Sequence, residues 1–344
     1  MQLGQKEHLR VSCFRLKRRS SEVSPVKCSK CDRDAVIRIP YANLYLCKEH
    51  LNEYVEERVE RTMRKYGMLK GVKRIAVAVS GGKDSTSLLH ILHRLSQRLG
   101  FEVIGVTIDL GIDSGRAYSS KSVEVAVRNF EALRVPYRVV SLKREYGFTV
   151  EDAKRGLRRP VCSSCGLAKR YVLSQVAEEE KADALATGHN LNDMAQFVMM
   201  GYYSGDVENL ARLEPVSPPK FYSHYKIKPL FLTYEKEIMT FALVNGIPFM
   251  IESCPLSWRV GGTTQETIRR KLEELEEQIP GFMLRLVETF VNKVRGPLAE
   301  RYVREEEVSK CKVCGRPTVK GRDICSFCAM RLKLAKSQGV SKVS

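Results

Sequence analysis

The chain has 344 residues, enough for about two domains of roughly 100–200 residues each. A 43% hydrophobic share argues against wholesale disorder, and no run nears the roughly 18 apolar residues of a membrane span. With 58 Lys and Arg against 40 acids, the net charge of +18 makes an acidic polymer the expected partner, not a membrane. Residues 1–27 carry seven Lys/Arg and two acids without an apolar period or an apolar leader, so they read as a basic arm that is disordered or contacts nucleic acid; Glu7 and Glu22 weaken the alternative of a transit peptide, and a cytoplasmic protein is expected. Residues 28–66 hold a cysteine lobe and a charged, helix-prone linker over 51–66. Residues 74–79 are a short apolar run of the buried parallel-strand kind. Leu88, Leu89, Ile91, Leu92, Leu95 and Leu99 recur at helical spacing over 84–99. A second strand is predicted at 102–109, a helix at 119–134 and a third strand at 137–142. Helices at 164–180 and 192–203 flank a fourth strand at 184–188. Residues 225–230, a helix at 234–245 and a strand at 248–252 complete the series. Strand–helix alternation at this pitch predicts an α/β fold, a doubly wound parallel sheet within residues 67–260. Residues 261–305 read as helical with a break at Pro280-Gly281, residues 306–332 as a second cysteine lobe, and 333–344 as a basic tail.

Eleven cysteines is an odd number, and no secretory signal accompanies them, so a complete disulfide framework is a poor reading. Their spacing says more. Cys28 and Cys31 are followed by Cys47 and His50, a Cys₃His set. Cys311, Cys314, Cys325 and Cys328 form a Cys₄ set. Each C-x-x-C turn brings two thiolates to one metal, and four N/S ligands complete tetrahedral zinc. With all four positions filled by protein, two structural Zn²⁺ are expected, each supplying on the order of 10 kcal/mol to a lobe too small for a good core. The central trio Cys162, Cys165 and Cys254 is an incomplete tetrahedron. It leaves three readings open: a fourth ligand from elsewhere, a metal or cluster with an open position, or persulfide and disulfide chemistry. Cys13 is left over.

Directly after the first apolar strand stands Ser80-Gly81-Gly82-Lys83-Asp84-Ser85, and a helix follows. Ligands of open α/β sheets bind at the carboxyl ends of strands. Two glycines let the backbone approach a phosphate, and the free N–H groups of the next helix meet the anion. Lys83 adds charge, and the Ser80 and Ser85 hydroxyls add hydrogen bonds. Asp84 after Gly-Lys rules out a Walker A loop.

The loop resembles the S-G-G-x-D-S pyrophosphate loop of the N-type ATP pyrophosphatases, which cut ATP between its α- and β-phosphates and adenylate an oxygen. That resemblance implies an adenine site at the backbone near Ala78 and Ile108. Cys162-Ser-Ser-Cys165-Gly166-Leu-Ala-Lys169-Arg170 resembles the C-x-x-C-G-x-x-K-R segment of tRNA 2-thiolation enzymes. Thr187-Gly188-His189-Asn190-Leu191-Asn192-Asp193 is similar to their T-G-H-N-x-D-D segment, and Cys254-Pro255 to their late third cysteine. With cysteine lobes at both ends, the chain resembles the TtuA-type and cytoplasmic tRNA 2-thiouridine synthetases over about residues 28–330. Asn192 and Met194 depart from a frequent Asp-Asp-Glu pattern.

The resemblance implies an enzyme that adenylates the C2 oxygen of a tRNA uridine, in the T-loop or at the wobble position, and then replaces that oxygen with sulfur. It implies ATP with Mg²⁺ on residues 80–85, Gly188 and Asp193. It also implies a [4Fe–4S] cluster on Cys162, Cys165 and Cys254 whose fourth iron is free to take hydrosulfide. Lys169 would stabilise developing charge or position the uridine, and Asp193 would hold Mg²⁺ or a proton. His189 reads as structural rather than as a base. The implied partners are tRNA, a ubiquitin-like sulfur-carrier protein or sulfide, and a second copy of the chain. Two alternatives are a cluster-free persulfide enzyme and a non-catalytic zinc-ribbon tRNA-binding protein.

Overall fold

In the computed structural model, which describes residues 25–219, 222–256, 263–304 and 307–337, a short hairpin comes first. Residues 1–24 of the expected basic arm, Cys13 and residues 338–344 of the tail lie outside that description. Strands β1 (Ile37–Ile39) and β2 (Leu44–Leu46) pair antiparallel and lead into helix α1 (Lys48–Lys65). The helix begins before residue 51 because Cys47 is its N-cap, which sets His50 in the first turn. Leu51, Val55, Val59 and Met63 recur every four residues and are fully buried.

The sheet comes next. Strand β3 (Arg74–Ala78) leads through the glycine loop to α2 (Lys83–Leu99), then come β4 (Glu102–Asp109), α3 (Tyr118–Ala132) and β5 (Tyr137–Ser141). Short helices α4 (Leu142–Tyr146) and α5 (Val150–Gly156) precede α6 (Val161–Glu179), β6 (Ala184–Ala186) and α7 (Leu191–Ser204). Helix α8 (Val207–Ala211), β7 (Val216–Ser217), β8 (Tyr225–Ile227) and α9 (Glu235–Val244) follow. The six strands lie in the order β5-β4-β3-β6-β8-β7, all parallel except β7 at the edge. Burial on both faces explains the uninterrupted apolar runs: Ile75 and Val77 join the cluster under α1, α2 and α9, while Ala76 joins the cluster under α6. The order turns at β3, so a crevice opens between the carboxyl ends of β3 and β6.

Two expectations need correction. Residues 248–252 form no strand: Met250 makes one isolated parallel bridge to Gly82, its N–H donating to Gly81 O at 2.8 Å. Pro248 helps explain this, since it has no N–H for a ladder. The strand expected at 225–230 stops at Ile227, before Pro229, and the unforeseen β7 covers that edge.

Beyond the sheet lie α10 (Thr264–Gln278), α11 (Phe282–Thr289), a π-helical turn over Phe290–Val294 and α12 (Arg295–Tyr302). Gly281 ends the interruption in the left-handed region, φ +89°. The second lobe is a hairpin of β9 (Val308–Lys310) and β10 (Pro317–Val319) with helix α13 (Ser326–Ser337). It docks on α6 through Phe327, stacked on Tyr171 with ring centroids 3.8 Å apart. The first lobe docks on α9 through Tyr41, stacked on Tyr234 at 4.8 Å. No helix among the described residues is long and apolar enough to cross a membrane.

Gly105 on β4 lies against the ring of Phe130 on α3, where an added Cβ would sit 2.1 Å from a ring carbon. Gly105→Ala should therefore force α3 off the sheet and cost about 1–3 kcal/mol of overpacking. Thermal denaturation would register this as a lower midpoint; an unchanged midpoint would contradict the packing described.

Candidate functional site

The glycine loop is held by its own side chains. Gly81 has φ +74°, and a Cβ there would lie 2.7 Å from Ser122 O, so only glycine fits. Ser122 Oγ donates to Ser80 O at 2.7 Å. Ser85 Oγ donates to Gly82 O at 3.0 Å and accepts from the Ser80 N–H at 3.1 Å. Gly82 is the N-cap of α2 and offers no side-chain cap, which leaves the helix's first N–H groups for an anion.

The loop after β6 presses against this turn. A Cβ on Gly188 would come within 3.0 Å of Ser85 N and 3.1 Å of the Asp84 carbonyl carbon. Asn190 Nδ2 donates to Asp84 Oδ1 at 3.1 Å. Asn190 and Asp193 form a capping box at the start of α7. Asp193 therefore has a capping role, and burial raises its pKa along with that of Asp84, against the pull of Lys83 on Asp84. Lys83 Nζ reaches Asp84 at 2.8 Å and Glu235 at 2.6 Å. Asn192 Oδ1 accepts from the Glu235 N–H at 3.0 Å, and Met194 is fully buried in an apolar cluster. These contacts account locally for both departures from the expected acidic pattern.

Helix α6 starts after Pro160, three residues earlier than its expected start at 164, so Cys162 and Cys165 lie in its first turns and Lys169 one turn beyond Cys165. Cys162 is exposed; Cys165 and Cys254 are half-buried. Burial pushes the Cys165 thiol up, Lys169 opposes, and Cys254 and Cys162 reinforce the rise, so the three sulfurs feel one another. All three line a cleft of about 610 Å³ that Gly82, Lys83 and Asp84 also line. The loop carrying Cys254 is held there by the Met250–Gly81 hydrogen bond and by Lys121, 3.3 Å from Glu252. A smaller pocket of about 80 Å³ is lined by Ala78, Ser80, Val106, Ile108, Tyr118 and Lys169, among others. Lys169 and Tyr118 border both spaces. Tyr118 carries no sequence signal: it stands just beyond a loop, after Ala117 at φ +48°. Glu235 is likewise legible only as the first residue of a helix.

The two terminal sets converge. In each, the four ligand atoms lie within 4.8 Å of one another. A tetrahedral ion with metal–sulfur bonds of about 2.3 Å spaces its thiolates by about 3.8 Å. Cys31 and Cys47 sulfurs are 3.8 Å apart, and those of Cys314 and Cys325 3.9 Å. His50 turns Nδ1 to the set, 3.3 Å from Cys28 and 3.4 Å from Cys47. Each set has room for one ion. The central trio does not meet the same single-ion spacing. Cys162, Cys165 and Cys254 share one cleft and could together hold a metal centre.

Comparison with known proteins agrees with this layout. Residues 51–272 match the PP-loop domain model ATP_bind_3, and residues 27–52 match the N-terminal LIM domain of the 2-thiouridine synthetase TtuA. The tRNA-5-methyluridine(54) 2-sulfurtransferase of Pyrococcus horikoshii is 38% identical over 88% of this chain and 93% of that protein. The chain belongs to the TtuA-type tRNA 2-sulfurtransferase family. A second member, from Thermotoga maritima and of the same description, is 36% identical over 90% of this chain and 98% of its own length. The structure described as the U34-tRNA thiolase NcsA of Methanococcus maripaludis with its [4Fe-4S] cluster superposes with a TM-score of 0.73. It is 28% identical and covers 92% of this chain and 98% of that one. The turn between β3 and α2 lies within the matched PP-loop domain.

His189 adjoins this PP-loop, with Nδ1 2.9 Å from Thr187 Oγ1. Burial pushes it down to about 4, Lys228 adds to this, and Asp84 opposes. The unfolded chain takes up the proton near pH 6.5 and the folded chain does not, so this group removes stability as pH falls from about 6.5 toward 4. Denaturation at pH 7 and pH 5 should show a larger acid loss for the native chain than for His189→Gln. Equal losses would mean that His189 is protonated in the fold.

Proposed function

We propose that the chain adenylates the C2 oxygen of a tRNA uridine with ATP and then exchanges that oxygen for sulfur. The observation that carries this reading is the shared cleft: the PP-loop forms one wall and Cys162, Cys165 and Cys254 another. The stronger likeness to enzymes named for 5-methyluridine 54, at 36–38% identity, favours the T-loop position over the wobble position.

Adenine enters the pocket between Ala78 and Ile108, and the phosphates lie on Gly81, Gly82 and the first turn of α2. Asp84 and Asp193 are the carboxylates placed to hold Mg²⁺ beside them. The uridine oxygen bonds to the α-phosphorus, the bond to the β-phosphate breaks, and pyrophosphate leaves with its electron pair. The uridine N3 proton passes to solvent. Lys169, bordering both spaces, steadies the negative charge gathered at the α-phosphate. Sulfur as hydrosulfide then attacks C2, and AMP departs.

Cys162, Cys165 and Cys254 would hold a [4Fe–4S] cluster, which when bound supplies a Lewis-acidic iron free of protein thiolate. The two terminal sets would each hold a structural Zn²⁺. A ubiquitin-like carrier or free sulfide is the sulfur source that we propose. Lys154, Arg158 and Arg159 are exposed just before Cys162 and suit tRNA phosphates.

Protein purified without oxygen should be brown, with about four irons and four sulfides per chain. Cys162→Ala, Cys165→Ala and Cys254→Ala should each abolish tRNA thiolation while leaving two zinc ions bound. Pyrophosphate release should require ATP and tRNA together. Full activity in any one variant would overturn the three-ligand assignment, and colourless, fully active protein would favour persulfide chemistry.

A further inference from the structure

A second cavity, about 490 Å³, opens on the far side of Lys83 from the cysteine cleft. Lys83 and Met239 are the residues the two spaces have in common. Three charged side chains meet where they join. Glu235 places one carboxylate oxygen 2.6 Å from Lys83 Nζ and the other against Arg269 Nη2. Arg269 comes from α10, far from the loop in sequence, and is ordered further by Glu273, 3.2 Å from its Nε. The three side chains are mostly shielded from water, with 18–29% of their surface exposed. Glu235 is itself fixed: it opens α9, where the helix dipole favours an acid, and its N–H donates to Asn192.

We infer that Arg269 is the second cation for the β- and γ-phosphates, and that Glu235 is the positioning residue holding Arg269 beside Lys83. This rests on the ATP reading above. The adenine pocket, the loop and this cavity follow one another through Ser80, then Gly82 and Lys83, then Glu235 and Arg269. A triphosphate anchored at Ala78 that runs over Gly82 and Lys83 reaches the junction of the cysteine cleft with the second cavity, where Arg269 stands.

Donor counting supports the assignment. Lys83 has three N–H groups, with Asp84 and Glu235 as its carboxylate partners. Arg269 has five N–H groups, and Nη1 makes no hydrogen bond among the described residues. The remaining donors form a fork of the kind that grips phosphate oxygens. Three other acids line the cavity wall, Glu237, Glu276 and Glu277, and the first two have partners. Glu237 takes Tyr41 and sits 3.9 Å from Arg58, while Glu276 accepts from Tyr234 Oη and from the N–H groups of Gly281 and Met283.

When the bond between the α- and β-phosphates breaks, the charge that develops on pyrophosphate is met by two cations instead of one. AMP, which stops at the α-phosphate, does not extend to Arg269. The inference therefore separates the two products.

The test is calorimetric titration of the full chain with magnesium pyrophosphate, AMP and ATP, for the native protein, Arg269→Gln, Arg269→Lys and Glu235→Gln. Arg269→Gln should weaken pyrophosphate binding by about tenfold or more, as loss of a charge-assisted hydrogen bond implies, and leave AMP binding within about twofold. Arg269→Lys keeps the charge without the fork and should fall between; it also guards against a folding failure in the glutamine variant. Glu235→Gln should weaken pyrophosphate but not AMP. Unchanged pyrophosphate affinity in Arg269→Gln would overturn the inference, as would equal losses for pyrophosphate and AMP. A native protein that binds neither ATP nor pyrophosphate would instead overturn the ATP reading itself.

Discussion

The close contact between two loops at the carboxyl ends of β3 and β6 organises the rest of the molecule. Gly188 has no space for a side chain because the main chain of Asp84 and Ser85 lies against it. This contact brings the phosphate turn and the capping box of α7 together and buries the carboxylates between them. The desolvation is expensive, and Lys83, Arg269 and the N–H groups of Asn190 offset it. The same turn receives Met250 and so draws in the segment that ends in Cys254. One backbone crowding point thus sets the distance between the glycine turn and the third sulfur.

The terminal lobes act on opposite sides of this centre. The Cys₄ lobe stacks Phe327 on Tyr171 of α6, and Arg316 reaches Glu178 of the same helix at 2.9 Å. It steadies the helix that bears Cys162, Cys165 and Lys169. The Cys₃His lobe reaches α9 through Tyr41, which bonds Tyr54 at 2.7 Å and the buried carboxyl of Glu237. It steadies the helix that bears Glu235. Neither lobe is large enough for a strong core of its own, so an ion that fixes its hairpin also fixes what that hairpin touches.

Local patterns in the sequence predicted much of this. Buried strands on both faces of a sheet produce apolar runs, which is why residues 74–79 and 102–109 stand out. The glycine pair at 81–82 follows a strand and precedes a helix, so its role is readable without coordinates. The metal sets are readable because their ligands come in tight pairs. What escaped depends on contacts between distant segments. Pro248 keeps 248–252 from being a strand, yet Met250 still makes a single hydrogen bond to Gly81 that no periodicity encodes. Tyr118 borders two pockets only because α3 is docked through Ser122 onto Ser80. Arg269 meets Lys83 across 186 positions of chain, through a carboxylate that reads in sequence as an ordinary first-turn acid.

Cys162 is the most open of the three central thiols, at the start of α6 on a cleft that faces solvent. A cleft that leaves this sulfur open to solvent also admits dioxygen and peroxide. Low burial leaves nothing to slow the oxidation of that sulfur or the loss of any iron it holds. Handling in air should therefore damage this corner of the molecule first, while the five buried thiols of the terminal lobes outlast it.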